Sequence, residues 1–248
     1  MTTVSLGTTG ITASARATTK ISTGYHSLLE IWSSQSNIYP VKPPRPEEAA
    51  YAAMVPAKSF PITGDEDADR LLVSDPLALL LGMMLDQQVP VEWAFRAPAR
   101  LRERMGGGPL DAAAIAALSP DQVEALFKQP PALHRFPGSM GRRAHALCQH
   151  LVDHYHGDAA KIWKGVRSGD ELVRRLRDLP GFGPEKAQIF VAVLAKVMGR
   201  KPAGWEQAAG PFADAQPRSV ADISSRESFT KVREWKKTQK QKGKTKAE

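Results

Sequence analysis

The sequence predicts an all-α domain, and three observations carry that expectation. From Asp67 onward apolar residues recur at three- and four-residue spacing, the period of a helix with one buried face. No alternating apolar–polar run exceeds about four residues, which is short for a strand. Hydrophobic residues make up 42% of the 248 and charged residues 24%, enough apolar material for a packed core.

The elements follow in order. Residues 67–87 carry Leu71, Leu72, Leu77, Leu80, Leu81, Met84 and Leu85, with a break before Pro76 where Ser74 or Asp75 can cap a new helix. The second of these helices is apolar almost all round, which suits the centre of a domain. Glu92–Met105 is amphipathic and ends at glycines 106–108. Asp111–Leu118 and Ser119–Lys128 read as short helices, the latter with Ser119 as cap and Pro120 at its first position. Arg142–Tyr155 turns Ala144, Leu147, Cys148 and Leu151 inward. Gly169–Leu179 and Pro184–Met198 form a helix pair joined by Pro180–Gly183, and Ser219–Val232 can form one more short helix.

The ends read differently. Residues 1–58, the first 25 of them dominated by Thr, Ser, Gly and Ala with no acidic residue, show no sustained period and are expected to be a disordered extension. Their Arg16 and Lys20 are few cations for an organelle transit peptide, so targeting is not expected. Residues 59–230 are expected to be the helical domain and 231–248 a basic, disordered tail.

Charge and cysteine content narrow the chemistry. The formal charge is +8, but 59–230 holds 21 residues of each sign, whereas 231–248 holds eight Lys/Arg against Glu234 and Glu248. The tail therefore attracts polyanions in a salt-dependent way, and the middle carries no global bias toward DNA. A single cysteine, Cys148, excludes an internal disulfide framework and a four-thiolate iron–sulfur cluster built from this chain. No apolar run reaches the 18 or so residues that span a bilayer, so no membrane partner is expected. His150 and His154 stand at i, i+4, but no acidic third ligand stands in a recognised spacing, so no metal is expected.

The most informative stretch is Leu179-Pro180-Gly181-Phe182-Gly183-Pro184-Glu185-Lys186-Ala187. Gly181 and Gly183 can take positive φ and lack side chains, so a ligand can approach the backbone closely. Pro184 suits the first turn of the next helix, whose N-terminal amides form an anion site, and Lys186 adds a positive charge. A DNA phosphate fits this chemistry. A plain turn plugged by Leu179 and Phe182 is the other reading, and the helices on both sides favour the first.

Two further segments stand in order with it: Leu80–Val89, ending in Gln87 and Gln88, and Phe136–Leu151, with glycines followed by Arg142-Arg143-Ala144. Together the three segments, within roughly residues 60–205, resemble the HhH-GPD superfamily, the helix-hairpin-helix DNA glycosylases of base excision repair. The resemblance implies a helix-hairpin-helix glycosylase-like fold acting on double-stranded DNA as a monomer, in the cytoplasm or at a bacterial nucleoid. It implies DNA contacts from Pro180, Gly181, Phe182, Gly183 and Lys186, and from at least one of Gln87 and Gln88, whose amides could otherwise cap their own helix. No iron–sulfur cofactor is implied, and a monovalent cation at the hairpin is compatible with it. His134 and Arg135, beside Phe136, are candidates for lining a base pocket.

Two departures bear on chemistry. Bifunctional members place a nucleophilic lysine two residues after the second hairpin glycine. Glu185 stands there, and Lys186 lies about 100° further round a helix, so lyase activity is not expected. Members also place an aspartate about 24 residues after the hairpin Leu, which here falls on Ala203. The nearby carboxylate is Glu206, the candidate catalytic residue, with Asp214 and Asp222 more distant. The implied activity is monofunctional hydrolysis of the N-glycosidic bond of a damaged or mispaired base, with a carboxylate stabilising the developing sugar cation. The alternative is a catalytically inactive protein that binds DNA structure.

Overall fold

Asp75 marks the point from which the domain is organised. It ends one helix and starts the next: its carboxylate accepts from the amides of Leu77 (2.9 Å) and Ala78 (3.1 Å), and also from Leu110 (3.3 Å). Burial pushes its carboxyl above the ordinary carboxylate range, against the lowering effect of those three amides. In the computed structural model, which describes residues 60–243 and 245, the helices are α1 Glu66–Ser74, α2 Pro76–Leu85, α3 Val91–Arg104, α4 Ala112–Ala117, α5 Pro120–Lys128 and α6 Pro137–Tyr155. There follow α7 Gly169–Arg177, α8 Pro184–Lys196, α9 Trp205–Ala209 and α10 Arg226–Gln241, with 3-10 turns at Ala159–Ile162, Gly210–Ala213 and Val220–Asp222. Among the described residues there is no strand, only one isolated parallel bridge between Ser168 and Ala203. The expected disordered extension over 1–58 lies outside them.

Helix α2 is the centre. Every residue from Leu77 to Leu85 is buried. At roughly 1.5–3 kcal/mol per buried Leu or Met, its seven large side chains contribute on the order of 10–20 kcal/mol of gross burial. Helices α1, α3 and the turn Ala159–Ile162 pack around it. Helix α6 packs on α5 and α4. It begins at Pro137, five residues before the expected Arg142, because its glycines serve packing: a Cβ on Gly141 would lie 2.9 Å from Glu124 Cα.

The C-terminal segment departs from expectation. Residues 231–241 are not an unstructured tail but the greater part of α10, started by a reciprocal Ser225–Ser228 capping pair and held by buried Val232. A charged run remains helical when a few apolar residues at helical spacing anchor it.

The end of α2 is joined to the loop before α6 by His134. This residue is fully buried. Its Nδ1 accepts from the Phe136 amide (3.1 Å), so Nε2 carries the proton and donates to the Gln87 carbonyl (3.0 Å). Both ring nitrogens are engaged within the protein, so His134 presents no edge to a flipped base. Its expected place in a base pocket is thereby corrected.

Burial holds the His134 imidazole below its ordinary value of 6.5; the Gln87 and Leu85 carbonyls oppose this, while Lys186 and Arg135 add to it. Between the folded and unfolded values the unfolded chain binds the extra proton. Stability is therefore full above the ordinary value and is lost as pH falls through the window below it. In urea unfolding at about pH 8 and about pH 5, His134→Gln is expected to lose less stability on acidification than wild type. Equal losses would show that His134 is not held neutral.

Candidate nucleic-acid interface

The hairpin is built from both of its helices. In α7 Leu172 and Leu176 point inward, and Arg174, Arg175 and Arg177 crowd its last turn, where cations suit the helix dipole. Leu179 and Phe182 are buried, the Phe182 amide donates to the Leu179 carbonyl (3.1 Å), and the Phe182 ring meets Phe190 of α8 edge-on at 5.9 Å. Gly181 has φ +91°, and a Cβ there would lie 2.7 Å from Arg143 Cδ and 2.9 Å from Met84 Cγ. Fold and packing both require this glycine.

Gly183 is different and does not use the positive φ open to it. Its φ of −83° is open to any residue, and a Cβ there would meet nothing within 4 Å. No side chain caps α8, and the Gly183 amide donates to no acceptor among the described residues. Pro180 is half-buried at the start of the bend, and Pro184 opens α8 with no donor of its own. The bend therefore presents an uncapped helix start with an unobstructed approach, the geometry that binds anions.

Lys186 does not face that approach. Its ammonium donates to the Met84 carbonyl (2.7 Å), one of the orphan acceptors at the end of α2, so the expected phosphate contact from this side chain is replaced by an internal cap. Gln87 is used in the same way: its amide nitrogen donates to Met84 O (2.9 Å) and contacts Met140 Sδ (3.4 Å), while its oxygen accepts from Arg143 (3.2 Å). The capping reading thus holds for Gln87.

Gln88 points outward instead. It is exposed and has φ +56°, a left-handed conformation that costs a non-glycine residue roughly 1–3 kcal/mol. Beside it, Asp86 is half-buried and its carboxylate bonds to no described residue, at the negative end of the α2 dipole where an acid is disfavoured. His134 holds the opposing loop against this turn. On that loop Phe136 is 42% exposed, the large hydrophobic side chain left open among the described residues. Arg135, also exposed, places its guanidinium 4.7 Å from the Phe136 ring centre. Sequence reasoning missed the backbone of Gln88; the pre-proline Val89-Pro90 pair was the available signal.

The candidate carboxylates lie elsewhere. Ala203 pairs with the chain entering α7: its amide donates to Arg167 O (3.0 Å) and its carbonyl accepts from Gly169 (2.8 Å). The hairpin lies beyond the other end of α7, about 13 Å away for nine residues at 1.5 Å each. Glu206 is exposed in the first turn of α9, next to the same remote end: a Cβ on Gly169 would touch Gly204 O and Ala208. Helix α9 also packs on α8, where a Cβ on Gly210 would lie 3.1 Å from Gln188 Nε2 in the second turn after the bend. Asp214 is held below the ordinary carboxylate range, burial being outweighed by Arg218 and the Gln216 amide. Asp222 pairs with Lys196 (2.7 Å) at the far end of α8, roughly 19 Å of helix from the bend.

A depression of about 720 Å³ is lined by His150, His154, Tyr155, His156, Lys161, Arg175 and Asp178. Among the described residues no three His, Cys, Asp or Glu side chains gather in a group that could hold a metal. Among them, too, no helix is long and apolar enough to cross a membrane.

The bend, the turn after α2 and the start of α6 all fall within residues 81–248, which match the model of a family described as HhH-GPD superfamily base excision DNA repair protein. No curated protein and no solved structure matches the chain. With more than half of its length matched, and the hairpin in place between two packed helices, the chain belongs to the HhH-GPD superfamily of base excision DNA repair proteins.

Proposed function

We propose that this protein serves base excision repair by recognising the structure of duplex DNA, gripping one strand at the hairpin and entering the stack beside it. The observation that carries this is Gly183: an uncapped helix start whose glycine neither the backbone nor the internal packing requires. A phosphate oxygen seated there would satisfy the Gly183 amide and meet the positive end of the α8 dipole. Phe136 and the outward Gln88, joined through His134, then stand where an apolar wedge and a side-chain amide can enter a weakened base step. Unstacking costs a few kcal/mol and least at a damaged or mismatched base, so the same contacts would favour such sites. Ala203, which stands where the family places an aspartate and pairs through its backbone with the chain entering α7, supports recognition without base release.

A second reading, a monofunctional glycosylase, is favoured by Asp86 alone. Its unbonded carboxylate at the turn could stabilise the sugar cation as the C1′–N bond breaks, with the electron pair leaving on the base, and could take the proton of the attacking water.

Fluorescence anisotropy with a labelled duplex carrying an abasic analogue tests the grip. Gly183→Val is expected to weaken binding by about tenfold or more, a loss of roughly 1.4 kcal/mol, with its urea midpoint unchanged. Lys186→Met is expected to lower stability by about 1 kcal/mol while leaving affinity near wild type. Wild-type affinity in Gly183→Val would remove the phosphate role. Incubation with a panel of modified-base duplexes, followed by alkali, separates the two readings. Recognition alone leaves no strand breaks, whereas breaks that disappear in Asp86→Asn would establish the glycosylase.

A further inference from the structure

We infer that α10 is a second, rigid grip on the same DNA, a cationic helix docked beside the turn after α2; this rests on the DNA-recognition reading above. The helix is anchored on one face. Val232 is 2% exposed, Phe229 and Trp235 are half-buried, and the Arg218 guanidinium lies 5.3 Å from the Trp235 ring centre. Arg233 pairs with Glu92 at 3.0 Å. Glu92 is in the first turn of α3, four residues after Gln88. The turn thus lies between the end of α2, on which the hairpin packs through Lys186, and the start of α3, to which α10 is tied.

Around its solvent side and at its C-cap stand exposed Arg226, Lys231, Lys237, Lys240 and Lys242. Lys231 is paired with Glu227 (2.6 Å), but Lys237, Lys240 and Lys242 make no ion pair with a described residue. These three span about 7.5 Å of helix axis, over which one strand of duplex DNA carries about two phosphates. Lys237 and Lys240 are a like-charged pair at i, i+3, which repels and weakens a helix in isolation. A folded helix that concentrates such repulsion beside the DNA-facing turn is complementary to a polyanion, and the duplex already held at the hairpin supplies one.

The test uses the full chain and a labelled duplex of about two helical turns, with affinity measured across roughly 50–200 mM salt. The triple variant Lys237→Gln, Lys240→Gln, Lys242→Gln is expected to reduce the slope of log K against log salt by about 2. Gly183→Val is expected to lower affinity with a slope change of at most about 1. Val232→Ser, which keeps every charge but undocks the helix, is expected to lose affinity as well. An unchanged slope in the triple variant, with wild type still binding, would overturn the inference and leave the hairpin reading intact. Wild-type affinity in Val232→Ser would overturn the docked grip in favour of a loose polycation. A wild-type chain that binds no duplex at either salt limit would overturn both.

Discussion

The site depends on one carbonyl oxygen. Helix α2 is buried on every side, so its last carbonyls emerge where water cannot satisfy them all, and Met84 O takes two donors at once, from Gln87 and Lys186. One donor comes from the turn that ends the helix and the other from the first turn of α8, 102 residues further on. A single acceptor thereby ties the hairpin to the centre of the domain. The next link is the Gln87 carbonyl, which takes the proton of His134 and brings in the loop carrying Arg135 and Phe136. Demand for hydrogen bonds at one helix end assembles the surface.

This arrangement explains why polar residues singled out by type proved to have two kinds of work. Gln87, Lys186 and His134 are committed to the inside, while Gln88, Phe136 and Gly183 are left to the outside. Each inward residue has an outward neighbour within a few positions, so the internal bonds hold in place the groups that remain open. A mutation of Lys186 or His134 would therefore be felt in the stability of the turn rather than as a lost contact with DNA. The placement of Ala203 has a similar structural origin: the bridge to Ser168 holds it at the start of α7.

Much of the fold was legible in the sequence because it rests on local rules. The Asp75 cap before Pro76, the Ser119-Pro120 helix start and the Gly-containing bend between α7 and α8 all use short-range chemistry, and each stands where its residues indicate. What was not legible depends on long-range partners. Nothing near Lys186 announces that its ammonium turns toward Met84, and nothing near His134 announces an acceptor 47 residues away. The two hairpin glycines look alike in sequence yet differ in space: only Gly181 meets Arg143 and Met84. The start of α6 was hidden because Gly138 and Gly141 weaken a helix by propensity, and only contact with α5 repays it. In α10 the lysines outnumber the apolar anchors, so composition obscured a helix held by Val232 and Trp235.

The open space around Gly183 makes that position a natural reporter. Because the surrounding protein neither fills nor constrains it, a library of all side chains there should fold alike and sort by their tolerance of whatever approaches from solution. Most interface residues confound those two demands. Here the fold has separated them, so the size at which function fails would gauge the clearance between the chain and its partner.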